Sequence, residues 1–281
     1  AELCAPIVFG DAEVLRRCAE HTKKPSDFTQ MGRDDLESAT RPCVLDLGLM
    51  ETNQLKPGAI SPVCGRATFG YVTEAIDACL SGQIDAVTTC PANKEALQSA
   101  GVPHPGHTEI FAERTQTEKF CMAFLSDKIN CSLVTVHAGY EQVPGLLNER
   151  RIAEVIELTR ETHKKLLGQE PRIAVCGLNP HAGENGMFGN REEERIIQPA
   201  IDAMRAEGCD IVGPLPPDTA FTETQRRQTD AYVCMYHDQG LIPVKAIAFE
   251  SAVNVTLGLP IVRTSVDHGT AFDIAWQGKA D

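Results

Sequence analysis

A chain of 281 residues is long for one compact core and short for two independent domains, so one family-sized α/β unit of two lobes over 1–281 is expected. Apolar residues at 42% and charged residues at 23% exclude disordered and fibrous classes. Twenty-six Lys and Arg against 39 Asp and Glu leave a formal net charge of −13, which argues against a nucleic-acid partner, and no run approaches the roughly 18 apolar residues of a membrane span.

Taken in chain order, short β-rich runs stand at 7–9, 44–47, 84–89, 120–125, 132–136, 173–178, 232–236 and 253–257. Helical spacing appears at 73–80, at 149–167 and at 192–206. In the second of these, Ile152, Val155, Ile156, Leu158, Thr159 and Leu166 recur at steps of three and four. The third begins with Glu192, Glu193 and Glu194, as a helix N-terminus prefers. Strands separated by helices predict largely parallel, twisted sheets with flanking helices on both faces. Eleven cysteines without a C-x-x-C pair read as reduced, mostly buried thiols. No signal peptide is visible, so a cytoplasmic chain is expected.

Three histidines directly follow strand runs: His137 after Leu-Val-Thr-Val, His181 after Gly-Leu-Asn-Pro, and His237 after Val-Cys-Met-Tyr. The carboxyl ends of parallel strands line the ligand crevice of α/β folds, so the three could converge on a divalent metal. Three separate loop histidines bonded to backbone are the plainer alternative. A cationic set comprises Lys245, Asn254 and Arg263, with Arg a bidentate fork for phosphate or carboxylate; a partly buried ion pair is the alternative there. In Pro105-Gly-His-Thr-Glu109, Thr108 and Glu109 could cap a helix, with His107 as a donor to an anion. Ser265–Ala275 reads as a turn leading into a helix, which suits a nucleotide on backbone amides. There is no G-x-G-x-x-G.

Asn179-Pro-His-Ala-Gly-Glu184, Met235-Tyr-His-Asp-Gln-Gly240, Asn254-Val-Thr-Leu-Gly-Leu-Pro260, Arg263-Thr-Ser-Val-Asp-His-Gly-Thr-Ala271 and Gly213-Pro-Leu-Pro-Pro-Asp-Thr219 stand in one order along the chain. Together they resemble the 4-hydroxythreonine-4-phosphate dehydrogenase family. The resemblance implies an isocitrate/isopropylmalate dehydrogenase-like fold with the active site in an inter-lobe cleft. It implies a homodimer with shared active sites, and NAD-dependent oxidation of a small phosphorylated secondary alcohol. One divalent metal (Zn, Mg, Co or Mn) would be held by His137, His181 and His237. Substrate contacts fall on His107, Thr108, Lys245, Asn254 and Arg263, and the cofactor loop on His268, Gly269, Thr270, Ala271 and Asp273. Lys245, Asp218 and Asp238 are the candidates at the chemistry, the last two as general bases alongside a metal-bound hydroxide. Asp267 and Asp273 without an Arg in that loop favour NAD over NADP.

The substrate expectation is 4-phosphohydroxy-L-threonine, oxidised and decarboxylated as in pyridoxal phosphate biosynthesis, with D-threonate or D-erythronate 4-phosphate second. The alternatives are a metal-dependent hydrolase and a non-catalytic metabolite-binding protein. The family's Gly-rich opening and a helix beyond Gly278 are expected to lie outside this sequence. Beside His137 the family usually reads Thr-His-(Ile/Leu/Val)-Pro-Leu, where this chain has Val136-His-Ala-Gly-Tyr140.

Overall fold

The computed structural model describes residues 3–104 and 106–280. It divides into two units, Ala1–Thr117 with Leu259–Asp281, and Glu118–Gly258. In chain order the first unit contributes β1 (Ile7–Gly10), α1 (Ala12–Thr22), β2 (Thr29–Met31), β3 (Cys43–Asp46), α2 (Pro62–Leu80), β4 (Ala86–Thr89), α3 (Lys94–Ser99) and α4 (His107–Arg114). β3 lies between β1 and β2, parallel to both. The helical spacing at 73–80 proves to be the end of a longer helix. Ser61 caps it through the Val63 amide and Pro62 opens it, while the glycines at 65 and 70 weaken the apolar period of its first half. Ile76 and Val72 of α2 pack with Ile110 and Phe111 of α4.

The second unit runs through β5 (Cys121–Leu125), β6 (Cys131–Leu133), α5 (Val143–Leu146), α6 (Glu149–Leu167), β7 (Arg172–Cys176), α7 (Gln198–Ala206), β8 (Asp210–Leu215), α8 (Glu223–Arg226), β9 (Ala231–Cys234), α9 (His237–Ala248) and β10 (Val253–Leu257). Its strands order as β10-β5-β6-β9-β7-β8. β6, β9, β7 and β8 are parallel, and β5 is antiparallel to both of its neighbours. The short β5–β6 link explains that reversal, because it is too brief for a crossover helix. Ser126 and Asn130 close it: the Ser126 amide donates to Asn130 Oδ1 and the Ser126 hydroxyl to the Ile129 carbonyl. The chain then returns to the first unit as β11 (Val262–Ser265), parallel to β4.

Both faces of the second unit's sheet are covered, so its strands read as continuous apolar runs rather than alternating ones. Ile173, Val175, Val233 and Met235 face α6 and α7, whereas Ala174, Cys176, Tyr232 and Cys234 face α9. α6 matches its sequence-predicted span, with Asn148 accepting the Arg151 amide at 2.9 Å as N-cap and Gly168 ending it in the left-handed region. Seven of the eleven cysteines are buried and all are free thiols.

Several elements escape the sequence reading, α1, α3, α5 and α8 among them. β2 and β11 are short, and β8 carries Gly213-Pro214, which an edge strand tolerates. α9 is hidden by Gly240 and Pro243. Gly240 is needed there: a Cβ would come 2.8 Å from Leu133 Cδ2, so glycine lets the helix lie close on β6.

Candidate functional site

β6, β9 and β7 are neighbours running in the same direction, and His137, His237 and His181 follow their C-terminal ends. The structure brings two of the three together: the His137 and His237 rings are 5.9 Å apart between centroids. His181 instead lies 6.0 Å from the Phe188 ring. Among the described residues, no three His, Cys, Asp or Glu side chains stand close enough as placed to hold a metal ion. His137 and His181 both adopt left-handed backbone, with φ of 47° and 52°, a strained state for non-glycine residues that surrounding contacts must hold.

Beside the pair lies a cavity of about 210 Å³ lined by His137, Tyr140, Tyr236, His237 and Asp238, among others. His237 is the first residue of α9, and its Nδ1 donates to Asp238 Oδ1 at 2.7 Å. In the neutral ring that bond leaves Nε2 as the lone-pair nitrogen. The Tyr140 hydroxyl donates to the other oxygen, Asp238 Oδ2, at 2.6 Å. The bonds from Tyr140 and His237 hold the Asp238 carboxyl below the usual carboxylate range. Asp238 is therefore an ionised bridge between two loops. Asp218, the other sequence candidate for a base, is exposed in the turn after β8.

The loop carrying His181 is built on two buried carboxylates. Glu193 Oε1 accepts the amides of Leu178 and Asn179 at 2.9 and 2.7 Å, and Glu192 Oε2 accepts the Asn190 amide and Asn179 Nδ2. Residues 181–185 are all left-handed, and at Gly183 (φ 81°) a Cβ would meet Glu193 Oε2 at 2.6 Å. The three acids at 192–194 do begin a helical stretch, as the sequence suggests, but through a wide π-type turn at Glu193–Ile197 that precedes α7, and Glu192 and Glu193 turn inward at 5% and 3% exposure. Asn179 at the head of its motif is the sequence signal that marks the clamp.

In the first unit, Arg263 on β11 is 3% exposed, donates from Nη2 to Thr89 Oγ1 at 2.8 Å and lies 5.4 Å over the Phe111 ring. Burial lowers its pKa to about 10, opposed by the nearby Glu109 carboxylate, so it remains a cation. His107 opens α4, and burial followed by the Arg263 charge lowers its pKa to about 4, leaving a neutral imidazole. The expected cap is corrected: Gly106 is the N-cap, and Thr108 and Glu109 lie inside the first turn. Pro105 of that motif lies outside the described residues.

The remaining candidates are placed less centrally. Asn254 on β10 is 9% exposed, and its Oδ1 is buried without a hydrogen-bond partner. Lys245 lies on the exposed side of α9. The run after Ser265 does not lead into an α-helix. Only a 3₁₀ turn follows, at Phe272–Ile274, entered from a left-handed Ala271 at φ 45° and ended where Ala275 leaves helical backbone at ψ 127°. His268 and Gly269 are exposed there, the His268 Nδ1 donating to the Gly269 carbonyl, with Thr270 half-buried and Ala271 and Asp273 exposed.

Parallel α/β units carrying strand-end histidines and a buried arginine define a class, and comparison with known proteins narrows it. The chain belongs to the family described as pyridoxal phosphate biosynthetic protein PdxA, which matches residues 2–281. It is 48% identical over 282 residues to the 4-hydroxythreonine-4-phosphate dehydrogenase of Geobacter metallireducens, covering 99% of this chain and 83% of that one. It is 44% identical over 277 residues to the D-threonate 4-phosphate dehydrogenase of Pectobacterium atrosepticum, covering 98% and 85%. The crystal structure of 4-hydroxythreonine-4-phosphate dehydrogenase from Klebsiella pneumoniae superposes with a TM-score of 0.90 at 42% identity, over 98% of this chain and 84% of that one. The α/β fold expected from the sequence is thereby established.

Proposed function

We propose that this protein oxidises the secondary alcohol of a phosphorylated four-carbon hydroxy acid, passing hydride to NAD. The observation carrying the proposal is the placement of His137, His237 and His181 at the ends of three adjacent parallel strands in a chain of this family. 4-Phosphohydroxy-L-threonine is the first substrate and D-threonate 4-phosphate the second. Both names occur among relatives 44–48% identical to this chain.

The donor set suits a divalent ion: three imidazoles, one oriented by a carboxylate through its second ring nitrogen. His137 and His237 would hold the ion with His181 completing the set. When bound, it would supply Lewis-acid polarisation of the substrate hydroxyl. The protein's own residues do the rest. Arg263, kept charged and fixed by Thr89 and Phe111, offers its fork to the substrate's anionic end. His107, neutral, hydrogen-bonds without adding charge, and Thr108 adds a hydroxyl. Asn254 supplies the unpartnered Oδ1 as an acceptor, and Lys245 a point charge. Because both Asp238 oxygens are engaged, that residue orients His237, and Asp218 is assigned to accept the hydroxyl proton. The exposed loop from His268 to Asp273 would receive the cofactor, and the assembly is proposed to be a homodimer.

His181→Ala tests the reading directly. The variant is expected to lose both bound divalent metal, measured by elemental analysis, and NADH formation. A variant that keeps a full metal equivalent would remove His181 from the site.

A further inference from the structure

We propose that Tyr140 is a positioning residue of the histidine site, acting through Asp238 on His237; the proposal rests on the metal reading above. A single carboxylate ties the two loops together. Asp238 Oδ2 accepts from the Tyr140 hydroxyl at 2.6 Å while Oδ1 accepts from His237 Nδ1 at 2.7 Å. With one oxygen held from each side, the carboxylate cannot rotate without breaking a charge-assisted bond, and the His237 ring inherits that fixed orientation. His237 is thereby held in the wall of the same cavity that His137 lines.

Two further observations separate this role from ordinary packing. Tyr140 is 67% exposed, so core burial does not explain its side chain. Its ring nevertheless has a defined seat, edge-on to Tyr236 with centroids 5.8 Å apart and planes at 84°, and its loop is braced by the Gly139 amide donating to Gln142 Oε1 at 3.0 Å. The aromatic contact places the hydroxyl, and the hydroxyl places Asp238. Phenylalanine keeps the first link and deletes the second.

The test is a cobalt(II) titration of the full chain, followed by the visible absorption of the bound ion, for wild type, Tyr140→Phe, Asp238→Asn and the double variant. Tyr140→Phe is expected to weaken cobalt binding about tenfold, as loss of an outer-shell partner does, with the thermal midpoint unchanged. Asp238→Asn should weaken it at least as much. In the Asp238→Asn background, Tyr140→Phe should add no further loss, because its route runs through the carboxylate. Wild-type affinity in Tyr140→Phe, or an undiminished effect of that change in the double variant, overturns the proposal. A wild-type protein that binds no cobalt would overturn the metal reading itself, and this proposal with it.

Discussion

Arg263 combines a charge with almost complete burial, and its neighbours make that tolerable. Thr89 accepts one guanidinium N–H, the Phe111 ring lies beneath, and Glu109 favours the charged form. Lysine cannot reproduce that fork. Arg263→Lys is expected to raise KM for the phosphorylated substrate by about tenfold to a hundredfold, the equivalent of a charge-assisted hydrogen bond of about 1.5–3 kcal/mol. Steady-state kinetics check it, and an unchanged KM contradicts the clamp. His107 carries a pH signature. Its pKa is lowered to about 4 from an ordinary 6.5, so on acidification the unfolded chain takes up this proton first. The contribution is intact above about 6.5 and is lost as pH falls towards 4. In urea unfolding at a series of pH values, the wild-type advantage over His107→Gln should shrink across that window. A constant difference would remove the burial argument.

Among the elements, those with a clean period were legible and those defined by a single close contact were not. α6 declares itself because Ile152, Val155, Ile156 and Leu158 recur on one stripe above the sheet, and its cap and terminator are ordinary residues. α9 does not, because Gly240 is chosen for its approach to Leu133 rather than for helix propensity. The three histidines were legible from their position after strand runs. The Glu192–Glu193 clamp was not, since a run of acids reads as a solvated helix start unless its burial is known. Tyr140's link to Asp238 spans 98 residues, beyond any local signal. The clamp predicts that Glu193→Gln, which removes the charge from an acceptor of two backbone amides, costs about 1–3 kcal/mol. It should also expose residues 181–186 to proteolysis. A denaturant midpoint and cleavage pattern matching wild type would refute the role assigned to Glu193.

At the scale of the whole molecule, a net charge of −13 makes the local cations significant. An acidic chain repels anionic metabolites on average, so the buried Arg263 marks a built exception. Among the described residues, no helix is long and apolar enough to cross a membrane. Each unit forms its own cores, the second with one on either face of its sheet. That rigid sheet brings three histidine-bearing loops to adjacent strand ends, while loop chemistry is left to set the substrate. The central claim is an NAD-linked oxidation that requires the substrate's phosphate. The most direct measurement is initial NADH formation with 4-phosphohydroxy-L-threonine and D-threonate 4-phosphate, each beside its unphosphorylated parent and with a divalent metal present. The account predicts turnover with at least one phosphate ester and at least a hundredfold lower kcat/KM for its parent, as expected when charge-assisted contacts worth about 3 kcal/mol are lost. Equal rates on ester and parent, or no NADH from either ester, would contradict it.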